Sequence, residues 1–105
     1  MVLIYATFPS AAEACRIGSA LVERRLAACV NVLAPITSIY VWEGKLRRDT
    51  EVAAIIKTRA PLADRMIAEA KAMHPYANPA FVVLPAVGGS AEFLAWIKAA
   101  TATPG

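Results

Sequence analysis

Histidine is nearly missing from this 105-residue chain, which holds only His74, and cysteine is scarce, with Cys15 and Cys29. Each scarcity excludes a chemistry. One histidine cannot by itself build a zinc centre, because catalytic sites take about three protein ligands and structural sites about four. The two cysteines match no Cys-x-x-Cys spacing and read as reduced, buried thiols. Charge is low too: 18% of residues are charged and 58% apolar, against about 25% and about 45 to 50% in ordinary soluble chains. Yet no run nears the roughly 18 uninterrupted apolar residues of a membrane span, and "MVLIYATF" lacks the basic start and full core of a secretory signal. A surplus of apolar residues with no membrane to enter predicts burial between subunits. The net charge of +3 sits on scattered residues, densest at Arg24-Arg25 and at Lys45, Arg47 and Arg48. Nucleic-acid binding is not expected from so thin a patch.

What is present falls into one domain over residues 1–105, with about 101–105 as a disordered tail. "VLIYATF" reads as a buried strand. Ser10 then caps a helix, with Glu13 as its capping-box partner and Ala14, Ile17, Leu21 and Leu26 inward, ending near Ala27. A long hairpin follows, its turn at Glu43-Gly44-Lys45, where Gly44 supplies positive φ. Pro35 predicts a bulge, bend or edge position in its first arm. A second helix starts at Pro61 and carries Leu62, Met66, Ala70 and Met73 inward. "AFVVLPAV" is another strand, and "SAEFLAWIKAA" a last helix. The resulting β-α-β-β-α-β order plus a terminal helix is an α+β, ferredoxin-like fold: an antiparallel sheet with helices on one face and a long hairpin between the second and third strands.

No motif names a reaction, so no catalytic residue is assigned and a non-enzymatic protein is expected. Ser10, Ser38 and Ser90 lack a nucleophile elbow and read as caps and turns. Gly88-Gly89 lacks a phosphate-binding fingerprint and reads as a turn. Glu43, Asp49 and Glu51 lie beside Lys45, Arg47 and Arg48, which favours surface ion pairs. Tyr40 and Trp42 share one strand face and offer flat rings either for packing or for stacking on a ligand. Lys57 shares parity with Glu51, so the pair is a candidate anchor for an anionic or zwitterionic small molecule. His74 closes the second helix, since Pro75 prevents its continuation. It is a metal ligand, an acid or base, or a residue that ends a helix and packs.

The blocks "ERRLAACVNVLAPITSIYVWEGKL", "EVAAIIKT" and "HPYANP" occur in that order, and with them nearly the whole chain, about residues 3 to 100, resembles the CutA family of divalent-cation tolerance proteins. That resemblance implies a tight homotrimer with intersubunit sheets, a cytoplasmic location, a link to metal tolerance and likeness to the trimeric PII signalling proteins. It gathers Tyr40, Trp42, Glu51, Lys57 and Tyr76 into one intersubunit ligand cleft, with His74 as the metal residue. Two departures stand out. Ala80 occupies a place where members commonly carry glutamate, and Glu69 and Met73 stand where some carry cysteine or a further histidine. Two functions from different classes follow. One is a copper-tolerance protein binding divalent cations weakly through His74, with no organic cofactor. The other is a trimeric sensor or adaptor binding a small organic ligand or a protein partner.

Overall fold

Ser10 opens the first helix as its sequence position predicts. The computed structural model describes residues 1–103, beginning with strand β1 (Val2–Phe8) and helix α1 (Ala11–Glu23). The Ser10 hydroxyl accepts the Glu13 N–H at 3.2 Å, while the Glu13 carboxylate turns to Arg16 at 2.6 Å. Only half of the expected capping box forms.

The helix ends at Glu23, four residues before the expected Ala27. Arg25 takes a left-handed φ of 58°, and the N–H groups of Arg25 and Leu26 bond the carbonyls of Val22 and Leu21 at 3.0 Å each. This is a Schellman closure, in which glycine usually holds the left-handed place. Leu26 still reaches the core, fully buried like Leu21, but by folding back over the helix end.

Strands β2 (Cys29–Trp42) and β3 (Lys45–Thr58) form the hairpin. Its turn has two residues, Glu43 and Gly44, with φ of 52° and 76°. Positive φ at both matches the twist of the arms, and Lys45 pairs with Trp42 as the first strand residue rather than lying in the turn. Pro35 marks the expected bulge: Val32 pairs with Ala54 and Pro35 with Val52, so two β2 residues oppose one on β3.

The sheet runs β2-β3-β1-β4, with β4 at Phe81–Pro85 and every neighbouring pair antiparallel. Inserting β3 between β1 and β2 gives the split βαβ of the ferredoxin-like class. A short 3₁₀ turn, Ala60–Leu62, carries Pro61 and leads into α2 (Ala63–Met73). One sheet face carries Val2, Ile4, Ala6 and Phe8 beside Val52, Ala54 and Ile56, and packs under Ile17 and Leu21 of α1 and Met66 and Ala70 of α2. The last helix, α3 (Ala91–Ala100), lies against the opposite face. There the Lys57 ammonium sits 5.2 Å from the centre of the Phe93 ring, and Ile97 is buried outside the main core.

Two expectations are corrected. The thiols are free but not buried: Cys15 is exposed and Cys29 half-buried. Cys15 follows core-facing Ala14 on α1, and one helical step turns a side chain well away from its predecessor's face. Thr101, placed in the disordered tail, is fully buried. Arg59 donates to its hydroxyl at 2.9 Å and to its carbonyl at 2.7 Å. Of the rest of that tail, Ala102 and Thr103 are exposed, and Pro104 and Gly105 lie outside the described residues.

β1 pairs with β3 only as far as Val52. Residues 36–51 therefore leave the body as a two-stranded ribbon, each arm of seven residues spanning about 24 Å. Apolar Ile39, Val41 and Leu46 are exposed along it.

Left-handed backbone costs a side chain that bears a Cβ about 1 to 2 kcal/mol. Arg25→Gly is therefore expected to raise stability by about 0.5 to 1 kcal/mol, the relief being partly offset by glycine's freedom in the unfolded chain. Denaturant unfolding checks it, and destabilisation would show that the Arg25 side chain contributes more than its backbone geometry costs.

Candidate functional site

The site is built where α2 stops. His74 turns the chain from helix to extended backbone (φ −78°, ψ 137°), and only 8% of its surface is exposed. Its Nε2 lies 2.8 Å from the Thr7 carbonyl, and its Nδ1 accepts the Tyr76 N–H at 3.1 Å. A carbonyl can only accept and an amide can only donate, so the partners assign the tautomer with hydrogen on Nε2. The ring stacks on Phe8 at 5.0 Å and meets Tyr76 at 4.7 Å and Phe81 at 5.9 Å. From α1, Arg16 donates to the Met73 carbonyl at 2.8 Å, satisfying a helix-end acceptor. This geometry is helix closure with packing, one of the three roles open to His74 from sequence. A metal at Nδ1 would have to displace the Tyr76 amide.

Tyr76 is directed outward by that bond, and its hydroxyl donates to Glu51 Oε2 at 2.8 Å. The Tyr40 hydroxyl donates to Asp49 in the same way. Burial, followed by the bond to Glu51, pushes the Tyr76 phenol well above its usual range. The bond to Asp49 raises that of Tyr40. Both phenols remain donors, and each holds one carboxylate in place. Neither Asp49 nor Glu51 is ion-paired with Lys45, Arg47 or Arg48 among the described residues, so the expected surface pairing gives way to phenol–carboxylate pairs.

These groups open onto a cavity of about 720 Å³ along one side of the hairpin ribbon, facing the segment after α2. Tyr40, Trp42, Glu51 and Tyr76 all line it, as the sequence grouping anticipates. Lys57 does not. It shares the strand face of Glu51, but six residues along a strand is about 20 Å, and its ammonium rests on Phe93. His74 stands behind the wall rather than in it. Asp49, Asn78, Thr7 and Ala80 also line the cavity. Asp49 was legible as the partner two places from Glu51, whereas Thr7 required the sheet register. Ala80 faces the space where glutamate would add a third carboxylate, and Glu69 is held by Arg24 and Arg65 at 3.0 Å each.

The fold and cleft define a class: a split-βαβ chain with a projecting ribbon lined along one side by aromatic and carboxylate groups. Residues 2–100 match the family model for the CutA1 divalent ion tolerance protein. The chain belongs to that family. It is 48% identical over 94 residues to the divalent-cation tolerance protein CutA of Archaeoglobus fulgidus, covering 90% of this chain and 91% of that one. It is 39% identical to the chloroplastic protein CutA 1 of Oryza sativa, covering 95% of this chain but 56% of the relative, so it spans about half of that protein's length. The structure of the Archaeoglobus fulgidus protein, described as periplasmic, superposes with a TM-score of 0.93 at 45% identity over 96% of this chain and 99% of that one. The divalent cation tolerance protein of Thermus thermophilus gives 0.92 at 40% identity, with 96% and 99% covered.

Removing the imidazole leaves the Thr7 carbonyl and the Tyr76 amide without it and opens a hole against Phe8. His74→Ala is expected to cost about 2 to 4 kcal/mol, beyond what loss of a helix-end charge interaction would cause. Chemical denaturation measures it. A change under about 0.5 kcal/mol would mean an imidazole on open surface.

Proposed function

We propose that this protein acts in divalent-cation tolerance as a non-enzymatic homotrimer whose working site is the cleft of Tyr40, Trp42, Glu51 and Tyr76, in the manner of a small-ligand sensor. One observation carries the reading: His74 has both ring nitrogens engaged inside the chain, while the cavity beside it is lined by aromatic and carboxylate side chains. The link to metal is then indirect. Direct weak coordination of copper(II) through His74 fits this donor set poorly. Nδ1 is occupied, Ala80 removes a carboxylate, and no group of three His, Cys, Asp or Glu side chains is placed for a metal among the described residues.

The trimer is supported by surface that a lone subunit leaves wet. Val82 and Leu84 on β4, Val87 beyond it, and Ile39, Val41 and Leu46 on the ribbon are exposed. Both outer strands, β2 and β4, end the sheet with ladder groups that can pair with another chain. Obligate interfaces bury roughly 2,000 Å² or more, largely of such apolar surface. The cytoplasm is the proposed compartment, with relatives named for the chloroplast and the periplasm showing that the family is not confined to one; cell fractionation tests the location.

Sedimentation at micromolar concentration is expected to report about three times the 11.2 kDa chain. Trp42→Ala should weaken that assembly before it unfolds the subunit. A monomer with a cooperative unfolding transition would remove both the trimer and the intersubunit cleft.

Copper(II) titrated calorimetrically into wild type and His74→Ala, in a non-chelating buffer, is expected to give the same weak heats with both. A tight class of sites that vanishes in His74→Ala would return the metal to that residue and overturn the indirect reading.

A further inference from the structure

Residues 75–80, between the end of α2 and the start of β4, form an irregular strap. Pro75, Tyr76, Ala77, Asn78 and Ala80 make one wall of the cavity. Little holds this strap, because no backbone–backbone hydrogen bond reaches residues 75–80 among the described residues. Its hydrogen bonds there are the two made by Tyr76, one from the amide to His74 Nδ1 at 3.1 Å and one from the hydroxyl to Glu51 at 2.8 Å.

The first of these tethers depends on charge state. A neutral imidazole has one donor and one acceptor, and here both are used, Nε2 toward the Thr7 carbonyl and Nδ1 toward the Tyr76 amide. An imidazolium has two donors and no acceptor. A proton on Nδ1 would therefore face the Tyr76 N–H, donor against donor. Thr7 is held in the sheet opposite Ala53, so the side that yields is the strap. No carboxylate stands ready to accept the new N–H, and the ring forms no ion pair among the described residues. β1 and β4 face it with Thr7, Phe8 and Phe81, none of them charged. From α1 comes Arg16, bound to the Met73 carbonyl and paired with Glu13. From α2 comes Lys71, whose carbonyl accepts the His74 N–H at 3.2 Å. Glu51 of β3 is connected to the ring only through Tyr76, which donates to it.

We infer that His74 is an acid-sensitive latch: protonation of Nδ1 expels the Tyr76 amide, frees residues 75–80 at one of their two tethers and opens that wall of the cavity. The proton binds only where the Nδ1 bond to Tyr76 has broken, so acid shifts the population toward the open strap and base restores the closed one. Switching falls between about pH 8 and pH 5, the range in which imidazoles change charge. The bond from the Tyr76 hydroxyl to Glu51 limits how far the strap moves. As a control on the cleft the inference rests on the reading of that cavity as the working site, but the latch itself operates with no ligand present.

The test is an NMR titration of the labelled full chain without ligand, from about pH 8 to about pH 5. It follows the ring of the one histidine and the hydrogen exchange of the Tyr76 amide. After correction for the intrinsic pH dependence of exchange, protection of Tyr76 should fall about tenfold, with the midpoint of ring protonation, while Ala53 and Ile56 in the sheet keep theirs. His74→Asn offers an oxygen near the Nδ1 position and cannot charge, so its Tyr76 amide should stay protected throughout. Glu51→Gln keeps an oxygen for the phenol while removing charge, and should leave the transition in place. A ring that stays neutral to the acid end, or one that charges while Tyr76 keeps its protection, would overturn the inference. So would a transition that persists in His74→Asn and vanishes in Glu51→Gln, since the carboxylate would then be the switch. Should His74→Asn fail to fold, Tyr76→Phe decides instead: with the hydroxyl tether gone, the acid loss of protection at residue 76 should grow, and an unchanged loss would overturn the inference. Because no ligand is added, each of these results leaves the ligand-site reading of the cleft standing.

Discussion

A single imidazole joins three parts of this subunit. His74 takes the place where α2 would otherwise leave its end open, donates through Nε2 to β1 at Thr7, and receives the amide of Tyr76 on Nδ1. Both ring nitrogens are engaged within the chain, and the ring packs against Phe8, Tyr76 and Phe81. The helix end is therefore docked on the sheet, and the following residue but one is directed outward. Without that connection nothing would hold the Tyr76 hydroxyl against Glu51, and the cavity would lose a wall. The same logic recurs across the core, where the buried Thr58 hydroxyl donates to the Leu26 carbonyl at 2.7 Å and the Lys57 carbonyl accepts the Ala28 N–H at 2.8 Å. Two segments that lie far apart in sequence, Leu26–Asn31 and Ile56–Thr58, are thereby one structural unit.

The ribbon has the opposite character. Its root is fixed by β1 pairing and the bulge at Pro35, but beyond Val52 it has no third strand, and its apolar residues face solvent. Such a surface is what the proposed trimer would cover. Placing Tyr40, Trp42, Asp49 and Glu51 along one side of this ribbon, from Glu51 at its root to Trp42 beside its turn, couples any cleft ligand to the element best placed to meet a neighbouring chain. Occupancy of the cleft and the geometry of the assembly would then be linked, which is the property a sensor requires.

Much of the fold was legible because local chemistry and periodicity agree. Ser10, Pro35, Gly44 and Pro61 each act where their backbone preferences place them, and alternation in β1 and β3 sorts core residues from the rest. The end of α1 was not legible, because Arg25 occupies a left-handed position for which glycine is the usual signal. The exposure of Cys15 turns on a single helical step. Tyr40, Trp42, Glu51 and Tyr76 line one cavity, and parity explains why the three ribbon residues share a side although register sets Trp42 six residue levels from Glu51. Lys57 lies away from that cavity within this chain because parity assigns a face but not a distance, and α3 draws its ammonium to Phe93. Both nitrogens of His74 are filled by backbone groups, and backbone partners leave no trace in residue identity. Thr7 was missed for the related reason that only the register of β1 against β3 brings it beside Glu51.

The central claim is that His74 is a structural connector with both nitrogens engaged, and a long-range proton–nitrogen NMR spectrum tests it directly. With one histidine in the chain, the ring signals need no assignment. The account predicts hydrogen on Nε2, an Nδ1 that accepts a hydrogen bond, and a pattern unchanged when stoichiometric zinc is added. Hydrogen on Nδ1, or a nitrogen signal that shifts to a metal-bound position with zinc, would contradict it.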